Sequence, residues 1–194
     1  MCSCCKVRTT PGFWAVAAVA LTGSAGRVLP VVLLAAVCHE LGHLAALRLA
    51  GGRVEEFRLT AFGARISCDT RYLYYGRELL CVLAGPGVNL LMGVCLARVG
   101  AYTAAGAHVL QGCFNLLPAA GLDGGRALHL LVSWLAEPMT ADRICRAAGF
   151  ITAGSFLLAA AVLAVKLRGG NFLLLAAVGL VLHQIPLVKA AGKR

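Results

Sequence analysis

The sequence predicts an all-α polytopic membrane protein with about six transmembrane helices. Of its 194 residues, 60% are hydrophobic and only 13% are charged, against roughly 45–50% and 25% in soluble domains. The mean hydropathy is +0.83, and a single soluble core of this size could not enclose so much apolar surface. The charges are also segregated, which leaves apolar stretches of roughly 16 to 20 residues, close to the length at which a helix crosses a bilayer.

Taken in order, the first stretch covers residues 12–26, in "PGFWAVAAVALTGSAG". It is short, Lys6 and Arg8 precede it, and small residues follow. A secretory signal has this layout, and so does a retained first span, as which it is counted here. The second stretch, 28–47, is a run of Ala, Leu and Val holding "HELGH". After it, "RVEEFRLTAFGARIS" (53–67) alternates apolar and polar side chains over part of its length. That pattern suits a short β-hairpin in the loop after the second helix, and a plain cytoplasmic loop fits equally well. The third span, 79–97, carries Asn89 beside Gly85, Pro86 and Gly87, the composition of a close helix contact. The fourth, 101–117, places His108, Gln111 and Asn115 three and four apart, one polar stripe that should face the bundle interior and either admit water or pack. Spans at 149–165 and 171–188 carry no ionisable residue except His183 and terminal basic groups, so packing or partner binding is their default.

Charge sets an orientation. With the N-terminus in the cytoplasm, 14 of the 18 Lys and Arg fall on that side, and only Arg27, Arg98, Lys166 and Arg168 fall outside. Basic residues accumulate in short cytoplasmic loops. The split therefore predicts an even number of spans, both termini in the cytoplasm, and the end of the "HELGH" helix on that face. The net charge of +10 follows from this topology and from attraction to anionic lipid. A nucleic-acid partner is not expected, because no basic face is interleaved with aromatics. The nine cysteines make no disulfide framework. Cys38, Cys81, Cys95 and Cys113 lie in predicted spans as small hydrophobes, while Cys2, Cys4 and Cys5 match no zinc spacing and are read as a reduced cytoplasmic terminus.

The chemistry is concentrated in "AAVCHELGHLAAL", residues 35–47. Residues four apart share a helical face, so His39 and His43 can offer two imidazole nitrogens to one Zn²⁺ while Glu40 lies close enough to act on a water there. Chance gives H-E-x-x-H in a chain of this composition roughly 0.003 times. Each histidine alone would pass for a buried, hydrogen-bonded side chain; the triplet inside a span would not, because ionisable groups there are costly and usually functional.

A catalytic zinc needs a third protein ligand and an open position. The extended metzincin pattern is excluded, because Ala46 and Leu49 stand where it needs Gly and His. Glu55, Glu56 and Glu78 sit among arginines in what reads as solvated loop or helix end. The remaining candidate is Asp123 in "FNLLPAAGLDGGRAL", where Pro118, Gly121, Gly124 and Gly125 would break and turn the backbone. The alternative role for Asp123 is to cap a helix beginning at "LDGGRALHLLVSWL".

Together these residues resemble the site-2 protease family of intramembrane zinc metalloproteases (peptidase family M50). "HELGH" fits the family's zinc motif, "AGPGVNLL" with Asn89 its small-residue third helix, and "NLLPAAGLDGG" its aspartate motif. The resemblance covers roughly residues 12–130, and the short layout is most similar to the sporulation stage IV F-B branch. It implies one Zn²⁺ per chain held by His39, His43 and Asp123, with Glu40 as the base. It also implies that Asn115 holds an unwound substrate segment, the alternative for Asn115 being an interhelical hydrogen bond; from the residues themselves, Asn89 is a further substrate-binding candidate beside its helix-contact role, and the 53–67 strand offers an edge. Two departures stand out. Gly121 replaces the proline often found two residues before the aspartate, and the chain ends at Arg194 without the branch's nucleotide-binding CBS domain.

The expectation is thus one integral membrane protease domain over 1–194, with a catalytic core at about 28–130, two further spans at 149–188, and no CBS or PDZ domain. It would cut a membrane-spanning or membrane-associated protein near the cytoplasmic face of a bacterial membrane, a sporulation sigma-factor precursor being one candidate. Inhibitory membrane proteins are candidate partners. Other readings are a membrane zinc endopeptidase with a glutamate ligand, and a non-catalytic membrane binding protein of the same fold. A transporter lacks its repeated pair of broken helices.

Overall fold

The computed structural model describes residues 6–9, 28–60, 63–69 and 74–166. Five helices and three strands lie within them: β1 (Lys6–Thr9), α1 (Leu29–Leu49), β2 (Arg53–Thr60), β3 (Gly63–Asp69), α2 (Tyr75–Arg98), α3 (Tyr102–Asn115), α4 (Asp123–Leu135) and α5 (Pro138–Lys166). They fall into two units, residues 1–114 and 115–194. The predicted spans at 12–26 and 171–188, Cys2, Cys4, Cys5 and His183 lie outside the described residues.

In the first unit, α1 starts with Pro30 in its first turn, where a missing N–H costs nothing. It ends at left-handed Gly51 (φ 81°), whose N–H donates to the Arg48 carbonyl at 3.1 Å while that of Gly52 donates to Leu47 at 2.9 Å. The "RVEEFRLTAFGARIS" stretch forms β2 and β3, antiparallel and in register from Arg53 with Asp69 to Thr60 with Gly63, with an irregularity between Val54 and Glu56. β1 adds parallel to β2, Lys6 opposite Glu56, so β2 is the central strand of three. α2 runs 24 residues through Pro86, which has no N–H and so deprives the Val82 carbonyl of its helical donor. α2 closes at Gly100 (φ 78°), and α3 begins two residues later as the return arm of a helical hairpin.

Packing in this unit buries mostly small and polar groups, with Leu47 and Val82 also inside, and leaves many of the large apolar groups outside. On α1 the buried residues include Ala35, His39 and Gly42, whereas Val32, Leu33, Leu34, Val37 and Leu41 are exposed. α2 buries Cys81, Gly85, Asn89 and Gly93 and exposes Leu80, Leu91 and Val94. α3 buries Ala105, His108 and Gly112 and exposes Leu110. Water would penalise that arrangement; lipid favours it, since helices there associate through small residues and polar contacts.

The second unit holds α4 and α5, joined at Ala136 and Glu137, with the Glu137 carbonyl receiving N–H groups from Thr140 (3.0 Å) and Ala141 (3.1 Å). The segment before α4 packs on α5 through Ala119 and Leu122 against Ala153 and Phe156.

Among the described residues, three helical stretches are long and apolar enough to span a membrane: Pro30–Leu49, Tyr75–Arg98 and Met139–Val162. The chain is therefore read as an integral membrane protein. α3, at 14 residues, is about 21 Å long, short of a roughly 30 Å hydrocarbon core. The expected fourth span, 101–117, is thus a shorter helix followed by the broken backbone of 116–122. α5 begins at Pro138, well before the expected 149, because "PMTADRICRAA" is helical although too polar to be read as span.

Candidate metal centre

The H-E-x-x-H residues occupy the middle of α1, and two glycines let α2 come up against them. A Cβ on Gly42 would lie 2.9 Å from the Ala84 carbonyl oxygen and 2.9 Å from Val88 Cγ2. A Cβ on Gly85 would run into the imidazole of His43. Glycine is the one residue that fits at either position without displacing a neighbour, and the resulting approach sets the imidazoles against the α2 backbone.

Both rings are then held by hydrogen bonds. His43 donates from Nδ1 to the Cys81 carbonyl at 2.9 Å, which leaves the ring's lone pair on Nε2. That Nε2 lies 3.1 Å from Nε2 of His39, with the two rings nearly perpendicular at 85°. Two imidazole nitrogens on one tetrahedral Zn²⁺ at about 2.0–2.1 Å stand about 3.3 Å apart. The pair therefore fits a shared ion, and both donors are of the type zinc prefers. Glu40 follows His39 in the same turn and is half-buried.

His39 is supported on its other nitrogen. The Asn89 amide donates from Nδ2 to His39 Nδ1 at 3.4 Å, and His108 Nδ1 donates to Asn89 Oδ1 at 3.2 Å. Asn89 is 0% exposed and His108 is 2% exposed, so this chain of polar groups is sealed among α1, α2 and α3. Gly112 contributes, since a Cβ there would press on Asn89 Cβ and Leu90 at 3.3 Å.

In the second unit, Asp123 is the first residue of α4, and the capping position belongs to Leu122, which makes no side-chain cap bond. Asp123 is therefore not the helix's N-cap, although its charge in the first turn suits the helix dipole. The backbone reaches it through a tight reversal. Ala119 N–H donates to Leu117 at 2.8 Å, Leu122 N–H to Ala119 at 3.2 Å, and Gly121 is left-handed (φ 87°). Gly124 and Gly125 lie directly against the carbonyls of Leu116, Leu117 and Ala119, where any Cβ would collide. Asn115 ends α3 and, like Asp123, is half-buried.

Of the sequence-predicted residues, the first unit brings His39, His43 and Asn89 into one hydrogen-bonded group, with Glu40 one residue along; Asp123 and Asn115 belong to the second unit. Glu78 sits in the first turn of α2, a favourable place for an acid whatever its function. Sequence reasoning did not find the Cys81 carbonyl or the link from His108 to Asn89. A backbone acceptor has no sequence signature, and the stripe containing His108 did not reveal what it would meet. His129, outside this group, donates from Nε2 to Asp142 at 3.1 Å and accepts from Ser133 Oγ at 3.5 Å.

Known proteins are similar to this chain. It is 30% identical over 115 residues to a zinc metalloprotease of Methanocaldococcus jannaschii, covering 53% of this chain and 33% of that protein. It is 28% identical over 141 residues to stage IV sporulation protein FB of Bacillus subtilis, covering 66% of this chain and 48% of that protein. The chain thus spans between a third and a half of these relatives' lengths. The solved site-2 protease from M. jannaschii superposes with a TM-score of 0.64 over 93% of this chain and 89% of that one, at 22% identity, so the two share a fold. No family model matches the chain.

Proposed function

We propose that the chain is a member of the site-2 protease family of zinc metalloproteases, a reading supported by its relatives and by the shared fold, and that it hydrolyses a peptide bond of a membrane protein within the bilayer, near the cytoplasmic face. The observation that carries this reading is the pair of Nε2 atoms 3.1 Å apart on His39 and His43, each held from behind through Nδ1.

Zn²⁺, one per chain, would be held by His39, His43 and Asp123. When bound, it supplies Lewis acidity that acidifies water and polarises a carbonyl. Glu40, one residue along from His39, takes the proton of the attacking water and returns it to the departing amine. Asn115 hydrogen-bonds the extended substrate backbone. The β2–β3 hairpin offers an edge to the same segment; because β1 covers β2, the edge on offer is that of β3. The distribution of basic residues supports a topology with both termini in the cytoplasm, in what we take to be a bacterial cell membrane. Similarity to stage IV sporulation protein FB makes a sporulation sigma-factor precursor the first substrate to try, with inhibitory membrane proteins as candidate regulators.

The test combines zinc content with cleavage of membrane-anchored substrates by purified full-length protein. Glu40→Gln should keep its zinc and lose cleavage by at least about 10²-fold. Asp123→Ala should lose both. Undiminished cleavage by Glu40→Gln would refute the mechanism, and full zinc in Asp123→Ala would move the third ligand to a glutamate.

A further inference from the structure

We propose that His108 is a positioning residue for the metal centre, acting through the Asn89 amide to decide which nitrogen of His39 carries its proton. This rests on the reading that His39 ligates zinc through Nε2. The two histidines are held from behind by different kinds of group. Behind His43 stands the Cys81 carbonyl, 2.9 Å away, which can only accept; it keeps the proton on Nδ1 and the lone pair on Nε2, the nitrogen that would bind a metal. Behind His39 stands an amide, which can present either its NH₂ or its oxygen.

The arrangement in the structure is one continuous directional chain. His108 Nδ1 donates to Asn89 Oδ1 (3.2 Å) and Asn89 Nδ2 donates to His39 Nδ1 (3.4 Å). Because His39 Nδ1 accepts there, the His39 proton sits on Nε2 and is donated to His43 Nε2 (3.1 Å). The chain then ends on the Cys81 carbonyl. In that direction the nitrogen that must bind the ion is occupied by a proton. Metal binding needs the opposite half-chain: His39 Nδ1–H donating to Asn89 Oδ1, and Asn89 Nδ2–H donating to His108 Nδ1. That requires the amide to turn over and His108 to carry its proton on Nε2. Metal ligands are generally oriented by such outer partners.

His108 suits the task because imidazole can donate or accept at Nδ1. A donor-only group at position 108 would lock the amide in the metal-excluding direction. An apolar one would leave half of a buried amide unpaired. Burial of His39, Asn89 and His108 at 4%, 0% and 2% exposure removes water as a substitute.

Zinc affinity of the full-length protein, measured by chelator competition, tests the idea, with the visible spectrum of the Co²⁺-substituted protein reporting site geometry. His108→Leu should weaken zinc by about tenfold or more, the range for loss of an outer partner. His108→Gln, whose amide can also donate or accept, should stay close to wild type. Asn89→Asp accepts from His39 Nδ1 whatever stands at 108, so adding Asn89→Asp should restore zinc affinity to His108→Leu. Wild-type affinity in His108→Leu would overturn the proposal. So would equal weakness of His108→Leu with and without Asn89→Asp, which would mean that His108 acts through packing alone. A wild-type chain that binds no zinc would instead overturn the metal-site reading beneath it.

Discussion

At residue scale, His43 is fixed by two backbone features of α2: the carbonyl of Cys81, which takes its Nδ1 proton, and the missing side chain of Gly85. Gly85→Ala puts a methyl group into the imidazole, so the ring must leave its place and zinc affinity should fall at least about tenfold. Gly87, two residues on, is exposed with nothing within 4 Å of an added Cβ; Gly87→Ala should bind zinc as wild type does. Similar losses in the two variants would point to a general loosening of α2 and not to a clash with His43. Because the acceptor is a backbone carbonyl, it survives a change of the Cys81 side chain. Cys81→Ala should keep wild-type zinc affinity and lose only about 1 kcal/mol of packing, visible as a lower unfolding temperature in detergent. Such details were only half legible. The pattern of His39, Glu40 and His43 announces metal chemistry because three rare residues recur at helical spacing. The supports come from groups 38 and 50 residues away in sequence, which no local pattern connects.

At the scale of elements, a single glycine governs the turn that delivers Asp123. The comparable position in the resembled family often holds proline, whose φ is locked near −65°, whereas Gly121 stands at φ 87°. The reversal is therefore built differently here, as a left-handed residue between the Ala119 carbonyl and α4. Gly121→Ala should cost about 1 kcal/mol, the ordinary penalty of that conformation for a residue with a Cβ. Gly121→Pro should do far more, because the turn must be rebuilt. If Asp123 is the third ligand, zinc content should drop in the proline variant while the alanine variant retains it; full zinc in both would detach the turn from the metal. Sequence reasoning located this break through Pro118 and the glycines but took the preceding helix as a full span. Apolar composition alone does not show that α3 stops at Asn115. The polar first turns of α5 escaped for the opposite reason: they are helical without being apolar.

At the scale of the molecule, the described helices are sorted inside out, and the sorting predicts opposite responses on opposite faces of one helix. Val37 on α1 is 53% exposed and lies near the middle of a stretch, Pro30–Leu49, able to span the bilayer. On a water-soluble protein a charge at such an exposed position would be harmless. Here it faces hydrocarbon, where arginine at a span's centre costs about 2.5–3.5 kcal/mol on insertion scales. Val37→Arg should therefore reduce the fraction of chain that resists alkaline extraction from membranes. Gly42 lies on the other face, 2.9 Å from the Ala84 oxygen once a Cβ is added. Gly42→Leu makes α1 more apolar and should insert at least as well as wild type, yet it should drive α1 from α2, lowering the unfolding temperature and the zinc affinity together. Normal extraction resistance in Val37→Arg would contradict the assignment of that face to lipid. A Gly42→Leu protein that inserts and keeps its zinc would contradict the close helix contact on which the His39–His43 pair depends.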